Sequence, residues 1–482
     1  MLNLPGLIMM EDVLKQGHLI FILFIFVTVS CTKEISIPVI VTTDIHGMFV
    51  SQENEPGSLA SIATAVNEIR SKNKDLILLD NGDILQGTPA LHYFNFIAKD
   101  RKHIVSQVMN HLKYDAASIG NHDIEAGFEN CKRIEKEFTF PWLSGNITLN
   151  ETKMPLFKPF TIIERKGVRI AVLGMTTLTA QKAVRPENIE ILYLNSIREM
   201  SEKWIRIIKQ DHKADVIIGL FHEGLEFVKP VAESVKGFDI IFTGHDHTVN
   251  KETVKSPEGK EVLIVGSSDS GKSFVLAEII KSKGIFSFKG DVVPIKKTSE
   301  DTGFIDFIEP LLQEAVKYES SVAGEAPVEI TPEIYVDIIH ETLLRITNAE
   351  VSLTAPVTDD VSLKAGNVTV RDLFYLYPFD NFPVTLKLSG KEIESLLKYS
   401  HELQKPGSRY KRFYNDISPR YTAAIPLEQT RLYTVVMNSY HASDGGEILS
   451  KGIGLDAETI KSRIVKIFPE NIREHLFKTE NR

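Results

Sequence analysis

The sequence predicts a layered α/β protein of two domains, and three observations carry that reading. From Ile37 onward, short apolar strands alternate with amphipathic helical stretches, the pattern of sheets covered by helices. Several strand candidates are unbroken runs of Val, Ile and Leu, as expected where both faces of a strand are buried. The chain has 482 residues, 43% hydrophobic and 25% charged, which is too long for one ordinary domain of ~100–200 residues and near the globular average. That composition excludes a mainly disordered, collagen-like or multi-span membrane chain. With 55 Lys and Arg against 64 Asp and Glu, the net charge is −9, so no basic field gathers a nucleic-acid polymer. Two cysteines exclude a disulfide scaffold.

The first element is an export segment over 1–31. Lys15 precedes the apolar run Leu19–Val27, which ends in Thr28-Val29-Ser30-Cys31. The run is shorter than the ~20 residues that cross a bilayer as a helix and suits a signal-peptide core. Its small residue before Cys31 resembles a bacterial lipobox, with Thr28 in place of the usual leucine. A lipidated Cys31 leaves Cys131 as a buried thiol; a plain secretory signal or a short anchor is the alternative. Strands follow at Pro38–Thr42, Leu76–Leu79, Ala116–Ile119, Arg169–Leu173, Val216–Phe221, Ile240–Phe242 and Val262–Val265. Between the first two, Ser58–Ser71 reads as a helix: Leu59, Ile62, Ala63, Val66 and Ile69 recur at helical spacing behind a serine cap. Composition turns polar at Lys296–Thr302, a helix is expected over Phe304–Tyr318 and a loop over Ser320–Pro327. An N-terminal domain over 36–300, a connection over 301–328 and a second α/β domain over 329–482 follow from this, the last opening on a helix near Pro332.

Five strands run directly into metal-ligand residues. The clusters are Asp44-Ile45-His46-Gly47, Asp80-Asn81-Gly82-Asp83, Gly120-Asn121-His122-Asp123, His222-Glu223-Gly224 and Gly244-His245-Asp246-His247. Loops leaving the carboxyl ends of strands converge in open α/β sheets, and residues two apart in an extended segment point the same way. One D-x-H or H-x-H triplet arises by chance, and a lone strand-end histidine is usually solvated or hydrogen-bonded. Five in order behind apolar strands point to a centre of two metal ions. Imidazole and carboxylate donors without thiolate suit Zn, Mn, Fe or similar ions.

This motif order resembles the calcineurin-like metallophosphoesterases. Asp80-Asn81-Gly82-Asp83-x-x-Gln86-Gly87-Thr88-Pro89 and Leu143-Ser144-Gly145-Asn146-Ile147 are similar to the exported 5′-nucleotidase branch, which includes 2′,3′-cyclic-nucleotide phosphodiesterases. The resemblance runs from Asp44 to about Glu447. It implies two β-sheets flanked by helices for 36–300 and a substrate-binding 5′-nucleotidase C-terminal domain for 329–482. It also implies two divalent ions, one on Asp44, His46, Asp83 and His247, the other on Asp83, Asn121, His222 and His245, with Asp83 as the bridge. Two such ions ~3.5–4 Å apart polarise the phosphoryl group and supply hydroxide near neutral pH. The resemblance makes His122 the candidate for stabilising the transition state or protonating the leaving group. Asp123 and Glu125 both remain open as the carboxylate that orients it, and Glu125 could equally be a solvent-facing acid.

In the second domain, Leu376-Tyr377-Pro378-Phe379-Asp380-Asn381 resembles the family's Pro-Phe-x-Asn segment, and Met437–Gly446 its second substrate segment. The resemblance implies that Phe379 and Tyr440 sandwich the nucleobase, with Asp444 or Glu447 accepting from ribose; the plain alternative is two core aromatics. Two departures stand out. No arginine occurs in Val351–Pro356, where the nucleotidases usually carry Gly-Gly-x-Arg. Tyr440-His441-Ala442-Ser443-Asp444-Gly445-Gly446 is closer to the cyclic-phosphodiesterase form. The expected protein is an exported hydrolase of nucleotide phosphate esters, periplasmic or lipid-anchored to the bacterial envelope, whose domains rotate about the connection. Its alternatives are a phosphoesterase for other esters and a non-catalytic nucleotide-binding surface lipoprotein. Histidines 92, 103, 111, 212, 340 and 401 read as non-catalytic.

Overall fold

The computed structural model describes residues 34–51, 56–180, 192–295, 300–357, 361, 363–404, 416–443 and 447–478, without the side chains of 457 and 458. The expected export segment and Asp444 lie outside the described residues. No helix among those described is long and apolar enough to cross a membrane.

Among the described residues, two six-stranded sheets build the N-terminal half. The first contains β1 (Ile35–Thr42), β2 (Ile77–Asp80), β3 (Ala116–Ser118) and β4 (Trp142–Leu143). These four are parallel, and β13 (Ser273–Ser282) and β14 (Ile285–Pro294) continue the sheet antiparallel beyond β1. The second runs β11-β12-β10-β9-β7-β6, with β6 at Phe160–Arg165, β7 at Val168–Thr176, β9 at Val216–His222, β10 at Ile240–Thr243, β11 at Asn250–Lys255 and β12 at Glu261–Gly266. Its four inner strands are parallel.

The alternation of side chains explains the layers. Along β1, Ile37, Val39 and Val41 enter a core shared with Val172, Ile218, Leu220 and Phe242 of the other sheet, while Ile40 faces the opposite way. Successive residues of a strand point to opposite faces, so the sheets pack face to face and each presents its other face to helices. Helices Leu59–Lys72, Ile104–Leu112, Phe128–Glu137 and Thr302–Glu319 cover the first sheet. Helices Ile197–Ile207 and Leu225–Ser234 cover the second. Burying each Val, Leu or Ile contributes ~1.5–3 kcal/mol, which rewards continuous apolar strands. Ser58 caps the first helix by accepting from the Ser61 amide, as its sequence suggests. Cys131 is a buried free thiol.

The C-terminal half centres on a five-stranded sheet in the order β19-β16-β20-β18-β21. Its strands are β16 (Val351–Thr354), β18 (Pro383–Ser389), β19 (Ser418–Tyr421), β20 (Leu432–Asn438) and β21 (Ile464–Ile467). Helices Pro332–Thr347 and Gly390–Leu403 lie in the two cores associated with it. The connection differs from expectation in one place. Residues 320–327 are not simply a loop: Val322–Ala326 is a strand, β15, paired with β17 (Gly366–Thr369). Gly324 lies at a register shift in that pairing, and such interrupted alternation hides an edge strand from periodicity.

Candidate metal centre and substrate face

The ligand candidates sit where parallel strands end. Asp44 and His46 follow β1, Asp83 follows β2, Asn121 follows β3, His222 is the last residue of β9, and His245 and His247 follow β10. The structure gathers them into two groups. Asp44, His46 and His247 form one; Asp83, His222 and His245 form the other, and within each group the donor atoms all lie within 4.8 Å of one another. His46 Nε2 and His247 Nε2 are 3.3 Å apart, and His247 Nε2 is 3.4 Å from Asp44 Oδ1. His222 Nε2 lies 3.1 Å from both Asp83 Oδ2 and Asn121 Oδ1, and 3.9 Å from Asp44 Oδ1. Asn121 thus stands beside the second group, and His222 bridges towards the first.

The backbone is bent to make this possible. Asp44, His46, Asp83, His245 and His247 all have φ between 49° and 73°. Left-handed conformations in non-glycine residues cost ~1–3 kcal/mol each and collect at functional sites. Gly120 allows the closest approach: a Cβ there would fall 2.1 Å from Asp83 Oδ1. Backbone carbonyls aim the imidazoles. His46 Nδ1 is 2.9 Å from the Gln86 carbonyl oxygen and His222 Nδ1 is 2.7 Å from that of Asn81, which leaves each Nε2 turned into the site.

The electrostatics suit cations. Asp44 and Asp83 are almost fully buried, and Asp44 Oδ1 has no hydrogen-bond partner. A buried carboxylate oxygen left in that state is costly unless a cation completes it. Against their burial, His222 holds both carboxyls below their usual range. His222 in turn is raised to about 10 by Asp83 and Asp44 despite its own burial. Burial lowers His46, and burial with the nearby His222 lowers His245 to about 4. Both stay neutral, the form that ligates metal, whereas His222 and, through its hydrogen bond with Asp44, His247 are raised and give up a proton when an ion binds. Two buried carboxylates converging with four imidazoles are a donor set that fits divalent ions.

The two carboxylates beside His122 part company. Glu125 Oε1 lies 2.7 Å from His122 Nδ1, whereas Asp123 accepts from the amides of Asp83, Ile84, Leu85 and Gly120 at 2.8–3.0 Å. Asp123 is therefore spent on fixing the loop that carries Asp83, and Glu125 is the partner of His122. Nor is Glu125 solvent-facing, with its side chain 18% exposed. Burial would lower His122, but Glu125 and Asp83 outweigh it and raise the imidazole to about 10. Sequence reasoning assigned no role to three supporting side chains. Asp80 accepts from Thr42 Oγ1 and the Gly82 amide, Asn81 Nδ2 donates to the Phe221 carbonyl, and Thr179 Oγ1 lies 3.3 Å from His245 Nε2. Asp80 and Asn81 are marked in the sequence as members of the Asp-Asn-Gly-Asp motif; nothing local marks Thr179.

Of the substrate residues, Phe379 and Tyr440 are 40% and 43% exposed, which excludes the core-aromatic alternative. They leave one end of a strand pair, where Pro383 of β18 faces Asn438 of β20. Ser439 Oγ ties the two segments by donating to Asn381 Oδ1 and accepting from the Phe382 amide. Glu447 pairs with Lys451 at 2.5 Å.

Residues 37–249 match the calcineurin-like phosphoesterase family, and residues 319–451 match the 5′-nucleotidase C-terminal domain. The chain is 24% identical to protein UshA of Yersinia enterocolitica over 93% of its length and 94% of the relative. It is 22% identical to a 5′-nucleotidase of Vibrio vulnificus over 90% and 91%. Its fold is similar to that of a putative 5′-nucleotidase from Staphylococcus aureus, with a TM-score of 0.73 at 19% identity over 92% and 96% of the two chains. A 5′-nucleotidase precursor from Thermus thermophilus gives 0.67 at 21% identity with the same coverage. With these motifs, this ordered donor set and both halves matched, the chain belongs to the calcineurin-like phosphoesterases that carry a 5′-nucleotidase C-terminal domain.

Proposed function

We propose that this protein hydrolyses nucleotide phosphate esters at a binuclear metal centre. The observation that carries the reading is the convergence of Asp44, His46 and His247 with Asp83, His222 and His245 in two adjoining groups. Asp44, His46, Asp83 and His247 would hold one divalent ion, and Asp83, Asn121, His222 and His245 the other. When bound, such ions supply Lewis acidity and an activated water for in-line attack on phosphorus. Asp83 acts electrostatically on both His46 and His222, which supports its place between the groups.

The chain's own residues do the rest. Glu125 accepts from His122 Nδ1, so His122 Nε2 faces the reacting phosphate, where it donates a hydrogen bond and delivers the proton the leaving oxygen needs. Asp123 holds the Asp83 loop in register through four amides. Phe379 and Tyr440 offer exposed faces to the nucleobase, which tolerates any base because every base has a π-face. The missing arginine in Val351–Pro356 and the Tyr440–Ser443 sequence favour a 2′,3′-cyclic-nucleotide phosphodiesterase/3′-nucleotidase over a strict 5′-nucleotidase. Export rests on the Leu19–Val27 run ahead of Cys31, and loss of fatty-acid labelling in Cys31→Ala tests the anchor.

The deciding experiment is a Mn- or Zn-supplemented assay on 5′-AMP, 3′-AMP, 2′,3′-cyclic AMP and p-nitrophenyl phosphate. Preference for the cyclic ester establishes the branch. Activity on the aryl phosphate alone would make this a phosphoesterase for other esters. Nucleotide binding without phosphate release would make it a binding lipoprotein.

A further inference from the structure

We propose that Gln86 and His92 are positioning residues: Gln86 holds the backbone before Phe379, His92 with Arg473 holds the side chain of the residue after it, and together they set the distance from base platform to metal face that selects among nucleotide esters. The inference rests on reading Phe379 as the base-stacking residue.

One short segment joins the two faces. It begins at Asp83 in the second donor group and passes Gln86, whose carbonyl oxygen aims His46. It ends in the helix Pro89–His92, capped by Thr88. Across the domain boundary this segment touches the Leu376–Asn381 stretch twice. Gln86 Nε2 donates to the Pro378 carbonyl at 3.3 Å. His92 Nδ1 lies 3.6 Å from Asp380 Oδ1, beyond a hydrogen bond, and reaches it through Arg473, from whose Nη2 it accepts. Pro378 and Asp380 are the immediate neighbours of Phe379.

The second contact is braced. Arg473 pairs with Asp380, its Nη2 is 3.2 Å from His92 Nδ1, and its Nη1 donates to the Tyr377 carbonyl at 3.1 Å. Its guanidinium stacks over the Phe374 ring at 3.5 Å. On its other side His92 Nε2 faces Glu474 Oε1 at 3.5 Å. His92 and Arg473 are both buried, whereas the Phe379 ring between the two anchors is exposed. The Tyr377 and Pro378 carbonyls held before the ring and the Asp380 carboxylate held after it leave an exposed ring between two anchors, the arrangement a fixed platform needs. Because 5′-, 3′- and cyclic esters place phosphorus at different distances from the base, a fixed platform favours one class, and a small misplacement is costly.

The test compares Gln86→Ala, His92→Phe and Phe379→Ala with the parent, all as the metal-loaded full chain. Steady-state kinetics on the three AMP esters and p-nitrophenyl phosphate are read beside calorimetric binding of a nucleoside phosphonate. For Gln86→Ala and His92→Phe, the KM for the preferred nucleotide should rise about tenfold as the stacked base loses its fixed height, with a smaller fall in kcat. Phosphonate affinity should fall by the same factor, and discrimination among the esters should narrow. The ratio of nucleotide to aryl-phosphate efficiency must fall. An equal loss on the aryl phosphate would mean that these residues act on the metal face, and no change on any substrate would also overturn the proposal. Full nucleotide efficiency in Phe379→Ala would refute the platform itself. A loss there with none in the other two would refute only the anchoring. If His92→Phe fails to fold, Gln86→Ala still decides, since its side chain is lost from a single hydrogen bond.

Discussion

The candidate metal face and the proposed base face are built in opposite ways. Around the donors the backbone and the carboxylates are over-determined: Asp44, Asp83 and His222 are sealed from solvent, with His46 and His245 half-buried and only His247 exposed among the two groups; five donor residues hold left-handed backbone, and Asp123 fixes one loop through four amides. On the C-terminal domain, Phe379 and Tyr440 stand exposed, and the residues beside them are the ones tied down, Asp380 by Arg473 and Asn381 by Ser439. Charge chemistry on phosphorus needs donors placed to a fraction of an ångström, whereas stacking asks only for a flat ring at about the right height. The contrast predicts that damage to the first face costs turnover and damage to the second costs affinity.

The largest effect should come from Asp83. Asp83→Ala removes a donor from the second group and the acceptor of the His122 amide, 2.8 Å away. Phosphate release on every substrate should fall about a thousandfold, and metal content by plasma emission should fall with it. Unchanged rates would sink the bridging role. Glu125→Gln comes next and sharpens the division inside the metal face. It keeps the shape but loses the charge that orients His122, so kcat should drop about a hundredfold with KM and melting temperature nearly unchanged. Asp123→Ala should do the reverse in part, lowering the melting temperature by stranding four amides. A drop in kcat at unchanged melting temperature for Asp123→Ala would return Asp123 to the catalytic pair.

These cases show where the sequence was legible. Strand ends, donor types and the order of the five clusters are local, so short runs such as Gly120–Asp123 mark both the fold and the side chains that the structure gathers as candidate donors. The choice between Asp123 and Glu125 was not local. It depends on the β2 loop, some forty positions upstream, presenting amides that capture the nearer carboxylate. His92 reads as non-catalytic, and its neighbours Asp380 and Arg473 lie nearly three hundred and nearly four hundred positions away, beyond the reach of any local pattern. The strand at Val322–Ala326 escaped for a different reason: an edge strand with an interrupted register leaves no alternating pattern.

On the base face, Phe379→Ala should raise the KM for nucleotides about tenfold, in line with ~1–3 kcal/mol for one stacked base, while kcat changes much less. A fall in kcat as large as that of Glu125→Gln would break the division between the faces.

The smallest effect concerns stability rather than chemistry, and there the two halves should behave alike. Each carries a buried histidine away from the metal face. Burial, with Arg133 nearby, lowers His103 to about 3; burial, with Arg420 nearby, lowers His340 to about 4. Both rings have neutral partners: His103 Nε2 meets Asn95 Oδ1 at 3.1 Å, and His340 lies between Ser352 Oγ at 2.9 Å and Ser418 Oγ at 3.2 Å. In the unfolded chain these imidazoles take up protons near pH 6.5, while the folded protein refuses them until about pH 3–4. Stability is therefore full above pH 6.5 and declines as pH falls from there towards the folded values. At pH 5 each histidine should cost about 2 kcal/mol relative to pH 7. Denaturant melts of His340→Gln at pH 7 and pH 5 check this, because the difference between the two should shrink by about that amount. An unaltered difference would show that the ring takes up its proton while folded.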